Sequence, residues 1–307
     1  MSLSLASSWF NLNLYTPEKM VKKLVELSID SVELQYRMPA FYFKELHPLL
    51  KKEGIKVSSL HNYFPVPEVL KRGSGNAFLL TSLDDDELKL AVKYSSRSIE
   101  VASMLEAPAV VFHTGSVSLS SGKLDEFYDF FDRGEKDKAK KILDEISKER
   151  EKKSRLYLNR LLISLDRIVK VAEKESVKVG IENRYHPHEI PLPQELKIIF
   201  REFEGAPIFY WHDVGHAHHL EVIGFLPEKK WLGEFKDFLI GIHLHDARGR
   251  EDHLAPGKGE IDFLSLLGYI SNETIKVVEA HPKVRERELV EGFDYLKEMG
   301  FVENSGG

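Results

Sequence analysis

The feature that most constrains this chain is an alternation repeated along its length, in which short β-branched or apolar runs are each followed by a longer amphipathic stretch. Such alternation specifies βα units whose strands lie parallel in one sheet. Strands are expected at Leu3 to Ser7, Ser31 to Leu34, Ile55 to Leu60, Pro108 to Phe112, Val177 to Ile181, Ile208 to Trp211, Leu239 to Leu244 and Ile275 to Val278. The stretches between them carry helix signals. Thr16-Pro17 offers an N-cap followed by a first-turn proline, and Gly54 a stop after Phe41 to Lys52. Asp84, Asp85 and Asp86 favour the N-terminus of a helix reaching Glu106. Further helices are expected over Gln194 to Glu202, Pro227 to Phe238, Phe263 to Ile270 and Arg285 to Met299. Eight such units close a ring, so the expected class is α/β, a (β/α)8 TIM barrel occupying residues 1–307 as a single domain.

One stretch exceeds its slot. Residues 116–154, after the fourth strand, begin as a loop with Ser116, Ser118, Ser120 and Ser121 and become a charged helical segment from Glu135 to Lys153. The helix expected in that unit, Arg155 to Glu175, follows. A solvated helical decoration accounts for the insertion; so does a lid, because it follows the C-terminal end of a strand.

Composition removes several classes. No apolar run reaches 18 residues, so no membrane span is expected. The start, Met1-Ser2-Leu3-Ser4-Leu5, has neither the basic nor the long apolar region of a signal peptide, and a cytoplasmic location is expected. With no cysteine, disulfides, thiolate ligands and cysteine nucleophiles are excluded, and any transition-metal site must use His, Asp and Glu. A net charge of −6 speaks against nucleic acid as a partner of the chain as a whole.

The residues at the strand ends carry the chemistry. Glu33, His61, His113, Glu182, Asp213, His243 with His245, and Glu279 fall at or just beyond the ends of strands two to eight. In a barrel these ends share the C-terminal rim, where active sites lie. In Ile240-Gly241-Ile242-His243-Leu244-His245 the alternation sends both imidazoles to one face. Asp213 and His216, three apart, share a turn. Carboxylates and imidazoles without thiolates suit Zn, Mn, Co or Fe.

Phe112-His113-Thr114-Gly115, Gly180-Ile181-Glu182-Asn183, Asp213 with His216, Ile242-His243-Leu244-His245-Asp246, Glu251 with His253, and Glu279 together resemble the AP endonuclease family 2 and xylose-isomerase-like barrel superfamily. The resemblance runs from strand one to strand eight and leaves out the insertion. It implies that Glu182, Asp213, His243 and Glu279 ligate a single divalent ion in isomerases and epimerases of this type, with Glu182 and Glu279 moving the proton. It also implies that His61, His113, His216, Glu251 and His253 correspond to the additional ligands of three-zinc endonucleases. There the chain departs from the pattern, with Glu251 where the endonucleases carry aspartate. The implied cofactor is a divalent metal, Mn or Zn, with Co, Mg and Fe as alternatives.

Three observations favour sugar chemistry over phosphodiester cleavage. The chain is acidic and its rim loops lack a basic run. The loop from Glu182 to Ile190 is bulky, whereas the endonucleases carry a small glycine-containing one. The segment from His253 to Phe263 resembles the isomerase version. The expected function is a divalent-metal-dependent isomerase or epimerase of a sugar or sugar phosphate. The alternative is a zinc-dependent AP endonuclease or another metal phosphoesterase, and a binding protein on the same barrel is a third class. His245, Arg184 and Arg248 are candidate substrate contacts, the arginines as anchors for a phosphate. His212, His218 and His219 are not expected to ligate, and His186 and His188 are expected to be solvated. Trp9, Phe10, Tyr63 and Phe64 either wall the pocket or pack the core. A homo-oligomer is in keeping with the resemblance, although no interface signal is visible.

Overall fold

A computed structural model describes residues 2–302. Eight parallel strands close a barrel: β1 (Leu3–Ala6), β2 (Ser31–Leu34), β3 (Lys56–His61), β4 (Ala109–Phe112), β5 (Lys178–Glu182), β6 (Ile208–Asp213), β7 (Leu239–Leu244) and β8 (Ile275–Val278). They follow chain order around the ring, and β8 pairs with β1 to complete it. This is the expected (β/α)8 barrel. The strands are buried on both faces, which is why they read as near-continuous apolar runs.

Ala6, Ala109, Val111, Trp211, Ile240, Ile275 and Val277 fill the barrel interior. Trp211 is the largest of them and is wholly buried. Its register partner on β7 is Gly241. A Cβ at Gly241 would lie 2.1 Å from the indole, so the glycine is what allows the ring to cross the barrel.

The helices follow their signals. Thr16 caps α1 (Pro17–Glu26), and the Asp84 carboxylate caps α3 (Asp85–Met104) by accepting from the Asp86 and Glu87 amides. α2 spans Ala40–Lys52. The insertion contains α4 (Lys123–Asp132) and the first half of α5 (Lys136–Glu175). No break falls at 154: α5 runs unbroken for 40 residues, about 60 Å at 1.5 Å per residue. Neither Gly nor Pro interrupts it, and one buried stripe runs from Ala139 through Ile142, Leu143 and Ile146 to Leu158, Leu161 and Leu165. One face of the charged segment is therefore core. Buried Arg150 pins it, donating to Glu195 Oε2 at 2.6 Å and to the Glu189 carbonyl at 2.9 Å. These contacts show that the segment is not simply a solvated decoration.

The remaining helices are α6 (Pro193–Glu202), α7 (Val214–Val222), α8 (Lys229–Phe235), α9 (Phe263–Leu266) and α10 (Glu286–Met299). α7 is absent from the sequence expectation, because Asp213 ends its strand and caps a helix at the same residue. The stretches expected at Pro227 to Phe238 and Phe263 to Ile270 are shorter α-helices continued by single 3-10 turns. Among the described residues no helix is long and apolar enough to cross a membrane.

Gly241→Ala should push the added methyl into Trp211 and lower stability by about 1–3 kcal/mol, the usual range for overpacking a core. The readout is the urea midpoint; an unshifted midpoint would mean that the indole can move aside.

Candidate metal centre

The C-terminal ends of β3 to β8 deliver the chemistry to one place. Glu182, the last residue of β5, is buried and sits at its centre. Its Oε1 lies 2.8 Å from His243 Nδ1, and its Oε2 lies 2.7 Å from His113 Nε2 and accepts from Arg184 at 2.8 Å. His61 Nε2 is 3.1 Å from His113 Nε2 and 3.9 Å from Glu182 Oε2. The ligand atoms of His61, His113 and Glu182 all lie within 4.8 Å of one another, and so do those of Glu182, Asp213 and His243. Glu182 belongs to both sets. Glu279 is in neither set, but its Oε2 lies beside the second, 3.1 Å from His243 Nδ1.

The donor chemistry fits a cation at each set. His61 Nδ1 faces the Asn62 carbonyl at 2.9 Å, and a carbonyl only accepts, so Nδ1 carries the hydrogen and Nε2 is bare. His113 Nδ1 faces the Asn76 side-chain oxygen at 3.1 Å, with the same consequence. Two bare imidazole nitrogens and a carboxylate oxygen then converge with no hydrogen to share. Burial first, and then the neighbouring His113, hold the His61 imidazole well below its ordinary value, so it is not protonated to relieve this. At the second set, burial opposes charge on His243, but the charges of Glu279 and Glu33 outweigh it and raise its pKa well above the ordinary value. A proton on Nδ1 there takes the place that a metal would occupy. Burial also opposes ionisation of Glu182 and Asp213, yet the imidazoles around them hold both carboxyls well below the usual range.

A supporting layer orients these groups. Glu33 is fully buried; its oxygens lie 3.1 and 3.2 Å from His243 Nε2, which turns Nδ1 toward the carboxylates. Gln35, on the same face two residues on, donates to both Glu33 and Glu279 at 2.8 and 2.9 Å. Asn183 grips β6: its Oδ1 accepts from the Asp213 amide and the Tyr210 hydroxyl, and its Nδ2 donates to the Asp213 carbonyl. Gln35 and Asn183 were not among the expected site residues, although the Glu33/Gln35 alternation and the Glu182-Asn183 pair were visible in the sequence.

The other candidates divide. His216 donates from Nδ1 to the Asn183 carbonyl at 3.0 Å, leaving Nε2 bare, and its ring centroid lies 6.2 Å from that of His253. Glu251 is exposed and, among the described residues, its side chain makes no hydrogen bond or ion pair, whereas Asp252 pairs with His253 Nδ1 at 3.1 Å. The cause is backbone: His253 has φ +56°, which breaks the alternation that would put Glu251 and His253 on one side. Among the described residues, His216, Glu251 and His253 do not form a third set. His245 is fully buried, with Nε2 on Asp213 at 3.0 Å and Nδ1 accepting from the His253 amide, so neither nitrogen faces a substrate. Arg184 is buried between Glu182 and Glu189. Arg248 is exposed and donates to the Lys258 carbonyl. His186 and His188, expected to be solvated, are both partly buried, and the Tyr128 hydroxyl of α4 joins His186 Nδ1 at 2.8 Å to His219 Nε2 at 3.0 Å. Burial pushes His186 down to about 4 and His219 down to about 3. Trp9, Phe10, Tyr63 and Phe64 lie in the buried core.

A closed parallel barrel with a His/Asp/Glu rim defines the class of this chain. The chain belongs to the xylose isomerase-like TIM barrel family, which it matches over residues 21–299. No curated protein matches it significantly in sequence. Among solved structures it is similar to a D-tagatose 3-epimerase-like protein, at 19% identity and TM-score 0.70 with 97% of each chain covered. It is also similar to the Escherichia coli 3-keto-D-glucoside 4-epimerase YcjR in its apo form, at 13% identity and TM-score 0.67, covering 97% of this chain and 99% of that one. A third is a Thermus thermophilus protein, TTHB071, soaked with ZnCl2, at 18% identity and TM-score 0.59, covering 99% of this chain and 100% of that one.

Because the raised His243 pKa stabilises the charged form, its contribution to the metal-free fold is complete at low pH and fades as pH rises through that value. Metal binding should depend on pH in the opposite sense: uptake near neutrality should release a proton, and affinity should fall as pH is lowered. Calorimetry in buffers of different ionisation enthalpy reports the proton. Uptake without release would remove His243 from the ligand set.

Proposed function

We propose that this protein is a divalent-metal-dependent isomerase or epimerase acting on a sugar or sugar phosphate. The observation that carries the reading is the pair of carboxylates, Glu182 and Glu279, that face the same His243 nitrogen from β5 and β8. Glu182, Asp213, His243 and Glu279 would hold one ion, and His61, His113 and Glu182 another. Such an ion supplies Lewis acidity, stabilising negative charge on a substrate oxygen beside the carbon that loses its proton. The rest falls to the chain's own groups. Glu279 accepts one hydrogen bond from Gln35 through Oε1, and its Oε2 lies between His243 Nδ1 at 3.1 Å and His253 Nε2 at 3.9 Å. Glu182 is clasped by Arg184, His113 and His243. We therefore assign proton transfer chiefly to Glu279 and ligation chiefly to Glu182, a division that the sequence left open. The epimerases among the similar structures support a sugar as substrate.

One observation favours a second reading. Two ligand sets that share a carboxylate resemble the two-ion arrangement used to cleave phosphoesters. Against it stand the net charge of −6 and the engagement of Arg184 with Glu182 and Glu189. Metal analysis followed by solvent proton exchange into ketoses and their phosphates tests the first reading. Cleavage of abasic DNA without any such exchange would establish the second.

Glu279→Gln should cut substrate proton exchange about a hundredfold or more while retaining metal, in line with loss of a general base. Glu182→Gln should instead lose metal. Metal-loaded Glu279→Gln that exchanges at the wild-type rate would take Glu279 out of the proton transfer.

A further inference from the structure

The segment between β3 and α3, residues 62–84, contains neither helix nor strand. Loops this long without regular structure are uncommon in compact domains and are often functional. Its middle is seated on the first ligand set. A Cβ at Gly75 would lie 2.7 Å from His113 Nδ1 and 3.3 Å from His61 Cε1, so the bare backbone rests against both imidazoles. Gly73 packs as tightly on the Tyr36 carbonyl, and the Tyr36 ring meets His61 edge-on at a centroid distance of 4.9 Å. The next residue, Asn76, places its side-chain oxygen 3.1 Å from His113 Nδ1.

We propose that Asn76 is a positioning residue for the metal ligand His113. A neutral imidazole carries one hydrogen, and the nitrogen that keeps it cannot ligate. By accepting that hydrogen at Nδ1, Asn76 commits Nε2 to the side where His61 and Glu182 converge. Gly75 lets the loop come close enough to reach. A cation on Nε2 polarises the Nδ1 hydrogen and strengthens its bond to Asn76, so metal affinity and loop closure are coupled reciprocally. The inference rests on the proposed metal binding by His61, His113 and Glu182 but assigns a loop residue outside that set.

The test uses the full chain stripped of metal and titrated with Zn2+ against a chromophoric chelator and with Co2+ by its visible spectrum. His113→Ala first identifies the ion held by the first set. Asn76→Ala should weaken that ion by about 10- to 100-fold and alter the cobalt spectrum, leaving the ion at Asp213 and His243 unchanged. Asn76→Asp, which keeps an acceptor, should recover affinity to within a few-fold of wild type. Gly75→Ala should reproduce the weakening with Asn76 intact. Amide exchange across residues 72–77 should slow on metal addition in the wild type but not in Asn76→Ala. Wild-type affinity and spectrum in Asn76→Ala would overturn the proposal, as would failure of Asn76→Asp to recover. If His113→Ala binds as many ions as tightly as wild type, the metal reading of the first set fails and takes this proposal with it. Loss in His113→Ala but not in Asn76→Ala defeats the positioning role alone.

Discussion

Four carboxylates, those of Glu33, Glu182, Asp213 and Glu279, are buried together at one end of the barrel. Like charges in a dry site repel strongly and resist ionising side by side, so an arrangement of this kind persists only if positive charge is held among them. In this chain His243 supplies it from the middle: Glu33 holds one nitrogen, and the other faces the remaining carboxylates. Much of the surrounding architecture serves that balance. Gln35 ties two of the acids together, Asn183 and His245 hold Asp213, and Arg184 offsets Glu182 and Glu189 at once. The same electrostatic need makes the site receptive to a cation stronger than a proton.

Barrel and rim were largely legible because both rest on periodicity. Strand alternation shows which residues share a face, and chain order places each βα unit in the ring, so Glu182, Asp213, His243 and Glu279 could be brought to one end before any coordinates. What escaped depends on local backbone or on contacts distant in sequence. His253 adopts a left-handed conformation, and that rotation substitutes Asp252 for Glu251 as its neighbour. Arg184 looked free for a substrate because Glu189, its second partner, is brought back by a turn of the loop. α7 was missed because one residue, Asp213, serves as strand end, helix cap and candidate ligand together.

The insertion shows the limit of reading charge as exposure. Lys and Glu dominate Glu135 to Lys153, yet every third or fourth residue on one side is apolar and buried. The segment belongs to a helix that the barrel already required, extended toward its N-terminus and braced by α4. Through Tyr128 the same insertion reaches the loop that follows β5 and helix α7 that follows β6. The loop at 62–84, by contrast, packs on His61 and His113 directly through Gly75.

A barrel of this kind is not a tube, because side chains fill its interior, here six smaller residues packed with the indole of Trp211. With the interior filled, the ligand sets at the C-terminal strand ends can be approached only from outside the barrel and not along its axis from the far end. A polymer can offer the site an end or a protruding unit, but it cannot be threaded through.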